Sequence, residues 1–374
     1  MKKLKFEVEK VKVKTVLDVA ETFVSKAKLD TVLNYAYMEK KGEKIELTTS
    51  DGNYSFTAPM SFNKWDGEDQ SFLLPLTAFT KLVNDLPVDV LTAELDEGKV
   101  KIKGKNFKYS LVTKVDVDYV FLAPGKLISK IRLASKDLAY SINKVSYATS
   151  NDPNDILYYG VLVNLVEDSV DFVATDKKGA SLKTIKNEIK DNADTKLLIP
   201  KVLIGNLIPL LKDDEGQVEI EIYDNILRFV FANGYKVSIR KVETEKWAVY
   251  EKFVNLTRGD YEVITSKKIL LDAIKRMDKV MTTDKIAVMD IDNSVMTIRT
   301  LMTVNEAEET IEVQNNRNLK KNIQIVIRGL IDMLNAVDTD DVVLKFDEND
   351  TAPIYVKELN GDNNWISLMM PIKK

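Results

Sequence analysis

The chain of 374 residues contains no cysteine and no histidine, and each absence excludes a class of chemistry. Without cysteine there is no disulfide and no thiolate chemistry. Without histidine the chain lacks the commonest general base and the commonest zinc ligand. The remaining composition is ordinary for a globular protein, with 45% hydrophobic and 30% charged residues. A chain of this length predicts two or three domains, each with a core of its own.

Targeting and membrane signals are also missing. The opening MKKLKFEVEKVKVK is charged and alternating, without the apolar region of a secretory signal. No apolar run approaches the roughly 18 residues that a transmembrane helix needs. We therefore expect a cytoplasmic protein with no membrane segment. The net charge of −4 argues against a surface that wraps nucleic acid everywhere, but it permits one basic face.

No constellation of residues predicts an enzyme. The chain has no glycine-rich phosphate loop, no GxSxG elbow and no CxxC pair. Asp290 and Asp292 have the DxD spacing of many divalent-metal sites, but they precede Asn293 in a predicted hairpin turn. We predict a protein without catalytic residues, cofactor or metal; a carboxylate metallohydrolase that depends on Asp290 is the alternative from the enzyme class.

Three segments read as copies of one helix at a nearly constant interval. They are KLVNDLP (81–87), NLIPLLK (206–212) and DMLNAVD (332–338), offset by 125 and 126 residues. The same strand–turn–strand pattern follows the first two copies at 93–104 and 221–232, and a degenerate version follows the third at 343–356. A fixed period indicates one structural unit used three times. Chance similarity between amphipathic segments is the alternative interpretation.

The local patterns indicate helices and strands in the same order within each repeat. Alternation after Phe6 changes to helical spacing near Thr15, and a hairpin turns at Asp51–Gly52. Ser135 and Ser266 are predicted helix caps. The sequence predicts an α+β fold of three similar domains, each with two helices packed on antiparallel sheets. The predicted domains are 1–124, 125–255 and 256–374, with linkers at 122–126 and 255–260.

Basic side chains recur on the predicted helices. On the helix after Ser266, Lys268, Lys275 and Lys279 lie opposite an apolar stripe. The other repeat helices contribute Lys81, Lys144, Lys201 and Arg328. A solvated face explains any one of these helices. Repeated basic faces instead suit phosphate contacts, which are independent of sequence and sensitive to salt.

Two predicted strand segments carry opposite charge. Residues 99–108 hold five lysines, and residues 305–312 hold four glutamates. Lysines on an edge strand commonly prevent pairing with other chains. If a second copy presents the acidic edge, the same lysines direct head-to-tail pairing instead. Charge alone leaves both interpretations open.

With these features the chain resembles the bacterial sliding clamp, the beta subunit of DNA polymerase III, over essentially its whole length. The markers are YYGVLVNLVEDSVDFVATDKKGASL (158–182), LLIPKVLIGNLIPLL (197–211) and SLMMPIKK (367–374). The resemblance implies a non-catalytic chain of three domains and a head-to-tail homodimer, a six-domain ring around duplex DNA. The partners it implies are double-stranded DNA without sequence preference, the polymerase alpha subunit, the clamp loader and other proteins with a clamp-binding motif.

The resemblance also assigns residues to three sites. The expected DNA-binding residues are Lys26, Lys28, Lys81, Lys144, Lys201, Lys268, Lys275, Lys279 and Arg328. The expected partner-peptide cleft comprises Tyr158, Thr175, Lys177, Lys178, Ala180, Ala248, Lys252, Phe253, Leu368, Met370, Pro371 and Ile372. The expected dimer interface comprises Tyr109, Leu111, Val280, Met281, Glu306, Glu308 and Glu309.

Three departures from the family pattern leave the peptide preference of the cleft open. ATDKKG (174–179) stands where ATDGHR is frequent, and Ala248–Val249–Tyr250 replaces a proline before the cleft tyrosine. Gly329 stands where many members carry a larger, often aromatic residue. These departures indicate a divergent clamp. A clamp-like peptide-binding module that does not encircle DNA is the alternative function.

Overall fold

The computed structural model describes residues 4–25, 31–114, 118–166, 168–186, 195–244, 247, 259–282, 285–301 and 305–372. The chain divides into two compact units, Met1–Lys136 with Pro209–Lys241, and Asp137–Ile208 with Val242–Lys374. Every helix within the described ranges is too short or too polar to span a bilayer.

The described residues form six α-helices and a short 3₁₀ turn at Val32–Asn34. The helices are α1 (Lys10–Glu21), α2 (Leu76–Asp85), α3 (Ser135–Ser146), α4 (Lys201–Asp213), α5 (Lys267–Val280) and α6 (Ile327–Asn335). Helix α5 shows why such segments are helical. The Ser266 side chain accepts a hydrogen bond from the Ile269 backbone N–H, which caps the helix as predicted. Its apolar stripe, which includes Leu270 and Ile274, is buried.

The strands are short and numerous. The first half of the chain contributes β1 (Leu4–Glu9), β2 (Ala36–Lys41), β3 (Lys44–Ser50), β4 (Tyr54–Pro59), β5 (Lys64–Asp66), β6 (Gln70–Leu74), β7 (Val90–Asp96), β8 (Lys99–Lys103), β9 (Lys108–Val112), β10 (Leu127–Ala134), β11 (Gly160–Val166), β12 (Ser169–Thr175) and β13 (Gly179–Lys186). The second half contributes β14 (Thr195–Pro200), β15 (Gln217–Tyr223), β16 (Ile226–Val230), β17 (Lys236–Arg240), β18 (Tyr261–Ser266), β19 (Ile286–Asp292), β20 (Val295–Thr300), β21 (Glu308–Glu312), β22 (Gln314–Asn315), β23 (Lys320–Val326), β24 (Asp341–Phe346), β25 (Ile354–Glu358) and β26 (Trp365–Met369).

The first unit contains two antiparallel sheets. One has five strands in the order β5-β1-β7-β8-β9, and the other has eight in the order β10-β15-β16-β17-β4-β3-β2-β6. Strand β17 pairs with β4, with Val237 opposite Phe56. Helices α1 and α2 pack on each other, and α1 contacts β1, β3 and β4. The pairing of β17 with β4 joins strands of two successive repeats in one sheet.

The second unit also contains two antiparallel sheets. Nine strands follow the order β14-β11-β12-β13-β26-β25-β24-β18-β22, and four follow the order β21-β20-β19-β23. Strand β13 pairs with β26, with Ser181 opposite Ser367. Helices α5 and α6 pack on each other over a core that includes Met277, Leu334 and Trp365.

The predicted α+β fold with helices on antiparallel sheets is confirmed. The repeated helix occurs as α2, α4 and α6, each preceded by a strand (β6, β14, β23) and followed by two paired strands (β7 and β8, β15 and β16, β24 and β25). The limits of the three domains stay a prediction, because the compact units follow sheets that join strands of neighbouring repeats.

Helix α1 begins earlier than the predicted start near Thr15. Val13 belongs to the buried stripe of Val16 and Ala20, which has helical spacing, whereas Val11 is 78% exposed. Alternation of valine and lysine is therefore compatible with a helix here, because only one of the two alternating valines is buried.

Candidate functional site

A groove of about 260 Å³ opens in the second unit. It lies between the end of α3, the turn after β12, the start of α6 and the end of β26. Its apolar lining includes Ala180, Leu368 and three methionines, Met333, Met369 and Met370. Its polar lining comprises Thr149, Asn151, Asp176, Lys178, Arg328, Asp332 and Ser367. The groove therefore offers both a soft apolar surface and charges of either sign.

The β13–β26 ladder builds one wall of this groove. Ala180 lies opposite Leu368, and the Met370 backbone N–H donates to the Lys178 carbonyl at 2.8 Å. Beneath the wall, the Tyr147 hydroxyl donates to Ser367 Oγ. Burial raises the pKa of Tyr147 to about 12, so its hydroxyl stays neutral and keeps this hydrogen bond. The wall is thus held by a backbone ladder and by hydroxyl groups under it.

The tight turn after β12 depends on Thr175, which is buried rather than exposed to the groove. Its hydroxyl donates to the Gly179 carbonyl at 2.6 Å and accepts from the Lys177 backbone N–H at 3.0 Å. Asp176 accepts from the backbone N–H groups of Lys178 and Gly179. The expected contact of Thr175 with a peptide is therefore corrected, since this side chain shapes the turn that presents Lys178.

Tyr158 and Lys177 belong to an aromatic cluster that is separate from the groove lining. Lys177 Nζ pairs with Asp155 at 2.8 Å and lies 4.7 Å from the centroid of the Tyr158 ring. The Tyr158 and Trp247 rings pack with centroids 5.6 Å apart, and Trp247 Nε1 donates to the Leu157 carbonyl. These contacts occupy Tyr158 and Lys177 within the chain itself.

Of the twelve expected cleft residues, four lie together in the groove lining. They are Lys178, Ala180, Leu368 and Met370. Pro371 and Ile372 follow β26, and the Ile372 backbone N–H donates to the Gln324 carbonyl outside that lining. The expected residues Ala248, Lys252 and Phe253 lie outside the described residues.

The basic side chains of the helices differ in how exposed they are. Lys81 on α2 and Lys268, Lys275 and Lys279 on α5 are exposed, and the Arg328 side chain at the start of α6 is 71% exposed. Lys268 also pairs with Asp272 one helical turn away, at 2.6 Å. The expected residues Lys26 and Lys28 lie outside the described residues.

Lys201 at the start of α4 is half-buried. Its Nζ donates to the Ser150 carbonyl at 3.2 Å and to Asn151 Oδ1 at 2.7 Å. Burial lowers the pKa of Lys201, because the charged ammonium loses part of its hydration. Lys201 therefore lies beside the groove, where it fixes Asn151 of the groove lining.

Two of the sheets end in strands that carry expected interface residues. β9 is the edge of the five-stranded sheet and β21 is the edge of the four-stranded sheet. Tyr109 on β9 is 40% exposed, and Leu111 on the same face is partly exposed. Glu308 on β21 is exposed, whereas both Glu309 oxygens accept from Arg276, at 2.7 and 2.8 Å. Both charged segments therefore reach a sheet edge.

Comparison with known proteins matches this architecture. The model of the DNA polymerase III beta subunit, central domain, matches residues 132–246. The beta sliding clamp of Pseudomonas aeruginosa is 22% identical over 346 residues, which cover 91% of this chain and 92% of that protein. The clamp of Micrococcus luteus is 30% identical over 123 residues, 32% of this chain and 38% of that one.

Solved structures of beta subunits have the same fold as this chain. The beta subunit from Pseudomonas aeruginosa has a TM-score of 0.92 at 19% identity, over 99% of this chain and 100% of that one. The beta subunit from Thermotoga maritima has a TM-score of 0.88 at 17% identity over the same shares. The chain has the fold of the beta clamps, and its central segment matches the family model. The likeness in fold extends over nearly every residue, whereas the sequence identity is low.

Within this clamp fold, Lys144 does not have the exposed position that was expected of a DNA contact. Its side chain is 3% exposed, and Nζ pairs at 2.6 Å with both Glu358 and Asp338. Nζ also lies 4.7 Å from the centroid of the Trp365 ring. The prediction that Lys144 contacts DNA is therefore wrong, since its charge is neutralised inside the chain.

Met281 is likewise buried, and its expected role at the dimer interface is corrected. It follows α5 directly, is 3% exposed and belongs to the core cluster of the second unit. Val280, the residue before it, is exposed. The helical stripe explains the difference, because Met281 extends the buried row of Ile274 and Met277 by one further turn.

The lysine run is only partly an edge feature. Lys99, Lys101 and Lys103 lie on β8, which is an inner strand, and Lys101 pairs with Asp96 at 2.6 Å. Lys108 alone of the five lies on β9 itself. A run of alternating lysines crosses a hairpin here, and sequence reasoning treated it as one strand.

The DxD pair of the alternative metal site has partners of its own. Asp290 accepts a hydrogen bond from the Asn322 amide and pairs with Arg299 at 2.9 Å. Asp292 pairs with Lys320 at 3.2 Å. Among the residues that the structure describes, no cluster of three or more metal-binding side chains occurs.

Sequence reasoning missed most of the groove lining, including Tyr147, Asp332 and Met333. Asp332 and Met333 lie on α6 and were part of the repeated segment DMLNAVD, which was interpreted only as a repeat. Arg328 was assigned to DNA, and it also lines this groove. One feature of the sequence could have indicated these residues. Gly329, which departs from the family pattern, lies one turn before Asp332 and Met333 on the same helix.

Proposed function

We propose that this chain is a DNA sliding clamp. Two copies join head to tail into a six-domain ring that encircles duplex DNA without reading its sequence. The ring tethers the polymerase alpha subunit and other partners to the template, and an ATP-driven loader opens it. The protein works in the cytoplasm and catalyses no reaction.

The observation that carries this proposal is the pair of sheet edges with opposite charge. β9 carries Lys108 beside the exposed apolar Tyr109, and β21 carries the exposed Glu308 and Glu312. An edge strand offers unpaired backbone groups to another strand. Because one edge is basic and the other acidic, β9 of one copy suits β21 of a second copy better than it suits itself. Such pairing is heterologous, and heterologous contacts close into a ring when the rotation between the copies permits it.

Contacts with DNA are assigned to exposed cations on the helices. The exposed side chains are those of Lys81, Lys268, Lys275, Lys279 and Arg328. The side chain of Lys201 is half-buried. Lysine contacts to phosphate are individually weak and interchangeable, so they allow a ring to slide. Base readout would require rigid bidentate donors and would stop the sliding.

The groove of the second unit is assigned to partner peptides. Its three methionines are flexible and polarisable, so they adapt to side chains of different shape. A groove of this kind suits one clamp that serves several partners in turn.

The mass of the chain in solution tests the ring. Size-exclusion chromatography with light scattering, at low micromolar concentration and moderate salt, should give twice the chain mass of 42.4 kDa. A monomer that persists at high concentration would overturn the ring.

One observation favours the second candidate, a peptide-binding module that does not encircle DNA. Several basic side chains are already neutralised within the chain, as in the pairs Lys144–Glu358 and Arg276–Glu309. Such a module would keep the groove but would be monomeric, so the mass measurement separates the two functions.

A further inference from the structure

The groove contains a glycine that the backbone does not require. Gly329 lies in the first turn of α6 and does not have the positive φ that favours glycine. Among the described residues, a Cβ added there would meet the Met369 methyl alone, at an ordinary 3.5 Å. Glycine is a weak helix former, so an alanine would suit the helix better. What the glycine provides is open space on the groove side of the helix.

Soft apolar groups surround that space. Met333, Met369 and Met370 line the groove together with Leu368 and Ala180. Methionine sulfur makes favourable contacts with aromatic rings, and its side chain adjusts to their edges. A large flat ring therefore fits the methionine lining better than a branched aliphatic side chain does.

The same wall carries a carboxylate that accepts no hydrogen bond from the described residues. Asp332 lies one helical turn after Gly329 and lines the groove. Within the described part of the chain, no hydrogen bond or ion pair reaches this carboxylate, and Arg328 and Lys201 act on it only at longer range. Burial raises the pKa of Asp332, because the loss of hydration outweighs the opposing effect of the charges on Arg328 and Lys201. A ligand that donates a hydrogen bond would supply what the carboxylate lacks.

We propose that the groove selects partner peptides through one tryptophan, whose ring covers Gly329 and whose indole N–H donates to Asp332. The proposal rests on the proposed role of this groove in binding partner peptides. Tryptophan combines the largest apolar ring with a single donor and no charge. A lysine or arginine would also donate, but it would bring a third cation next to Lys178 and Arg328.

The test uses small probes on the full-length chain. The probes are N-acetyl-tryptophanamide, its 1-methylindole derivative, N-acetyl-phenylalaninamide and N-acetyl-tyrosinamide. Binding is followed by the NMR shifts of ¹³C-labelled methionine methyls, because ring currents move the signals of Met333, Met369 and Met370. The tryptophan probe should bind about tenfold more tightly than the methylated and phenylalanine probes, since a hydrogen bond to a charged group is lost.

Substitutions of Asp332 and Gly329 test whether these two residues determine the affinity for the probes. Asp332→Ala should bring the tryptophan, methylindole and phenylalanine probes within about twofold of one another, by removing the acceptor alone. Gly329→Phe should abolish binding of all probes, whereas Gly329→Ala, which fits at 3.5 Å, should retain most of it. Asp332→Leu, which has a similar shape and no acceptor, replaces Asp332→Ala if the alanine variant melts at a lower temperature. Equal affinity of the probes for the wild-type chain, or a preference for tyrosine, would overturn the tryptophan assignment.

Peptides that tile the polymerase alpha subunit of the same genome separate this inference from the proposed function. Tiles that bind the wild-type chain but not Gly329→Phe support the groove as a partner site. If their binding does not depend on a tryptophan, the inference fails while the proposed function stands. If no tile binds, both the partner role of the groove and the inference are overturned.

Discussion

Lys144 illustrates how much a single residue depends on distant parts of the chain. Its two carboxylate partners, Asp338 and Glu358, lie 194 and 214 residues away in the sequence. The Glu358 side chain is 2% exposed and also accepts the backbone N–H groups of Asp338 and Asp362. A buried carboxylate with these partners needs the ammonium charge, because isolated buried charges are strongly unfavourable.

We predict that Lys144→Met lowers the free energy of unfolding by about 3–5 kcal/mol, because it leaves Glu358 buried without a cation. Adding Glu358→Gln should recover part of the loss, since the amide oxygen still accepts one backbone N–H without a charge. Urea denaturation followed by tryptophan fluorescence measures both, because Trp365 lies beside Lys144. Lys136→Met, an exposed change on the same helix, is the control and should shift stability by less than about 0.5 kcal/mol. An unchanged midpoint for Lys144→Met would contradict this account of the ion pair.

Sequence reasoning found Lys144 but not its environment. A lysine on a helix is usually exposed, and no local pattern around Lys144 indicates that two acidic groups will meet it in the folded chain. The same limit applied to Thr175, whose hydroxyl is used inside a turn. By contrast Ser266 was predicted correctly as a cap, because capping involves residues only three positions apart.

At the scale of helices and strands, the edges β9 and β21 give the sharpest prediction. Leu111→Lys should convert the proposed dimer to a monomer, because pairing of the edges would bury a charge without a partner. Light scattering should then give 42.4 kDa instead of twice that mass. Val11→Lys is a matched control, since Val11 is exposed on α1 of the same unit and lies on no edge. A dimer that survives Leu111→Lys would remove β9 from the interface.

Met281→Lys should behave differently from Leu111→Lys. Met281 lies in the core of the second unit, so a lysine there should lower the melting temperature measured by circular dichroism. Val280→Lys changes the exposed neighbour and should leave that temperature nearly unchanged. If Met281→Lys separates the copies without lowering the melting temperature, the residue belongs to the interface after all.

Elements were easier to predict than their pairing partners. The three copies of the repeated helix and the strands after them follow from periodicity, which is local. The joining of β17 to β4 and of β13 to β26 is not local, since each pair links segments more than a hundred residues apart. The groove depends on the second of these pairings, which explains why Tyr147 and Asp332 were not assigned to it from sequence.

At the scale of the whole molecule, the proposed ring predicts a form of DNA retention that local contacts with DNA would not produce. Once a loader has placed it on nicked circular DNA, the protein should remain bound at about 1 M salt, where phosphate contacts alone have lost most of their affinity. A single cut that linearises the DNA should release it, because topology and not affinity retains it. Gel filtration of labelled protein with DNA, before and after the cut, measures both effects.

Substitution of the exposed lysines of α5 distinguishes, in the same assay, binding through phosphate contacts from retention by a closed ring. Lys275→Glu with Lys279→Glu should weaken loading at low salt, because two proposed phosphate contacts would become repulsive. The fraction already on circular DNA should still resist 1 M salt, since the closed ring does not depend on those charges. If wild-type protein leaves circular and linear DNA at the same rate, it does not encircle the duplex, and the peptide-binding module without a ring becomes the better account.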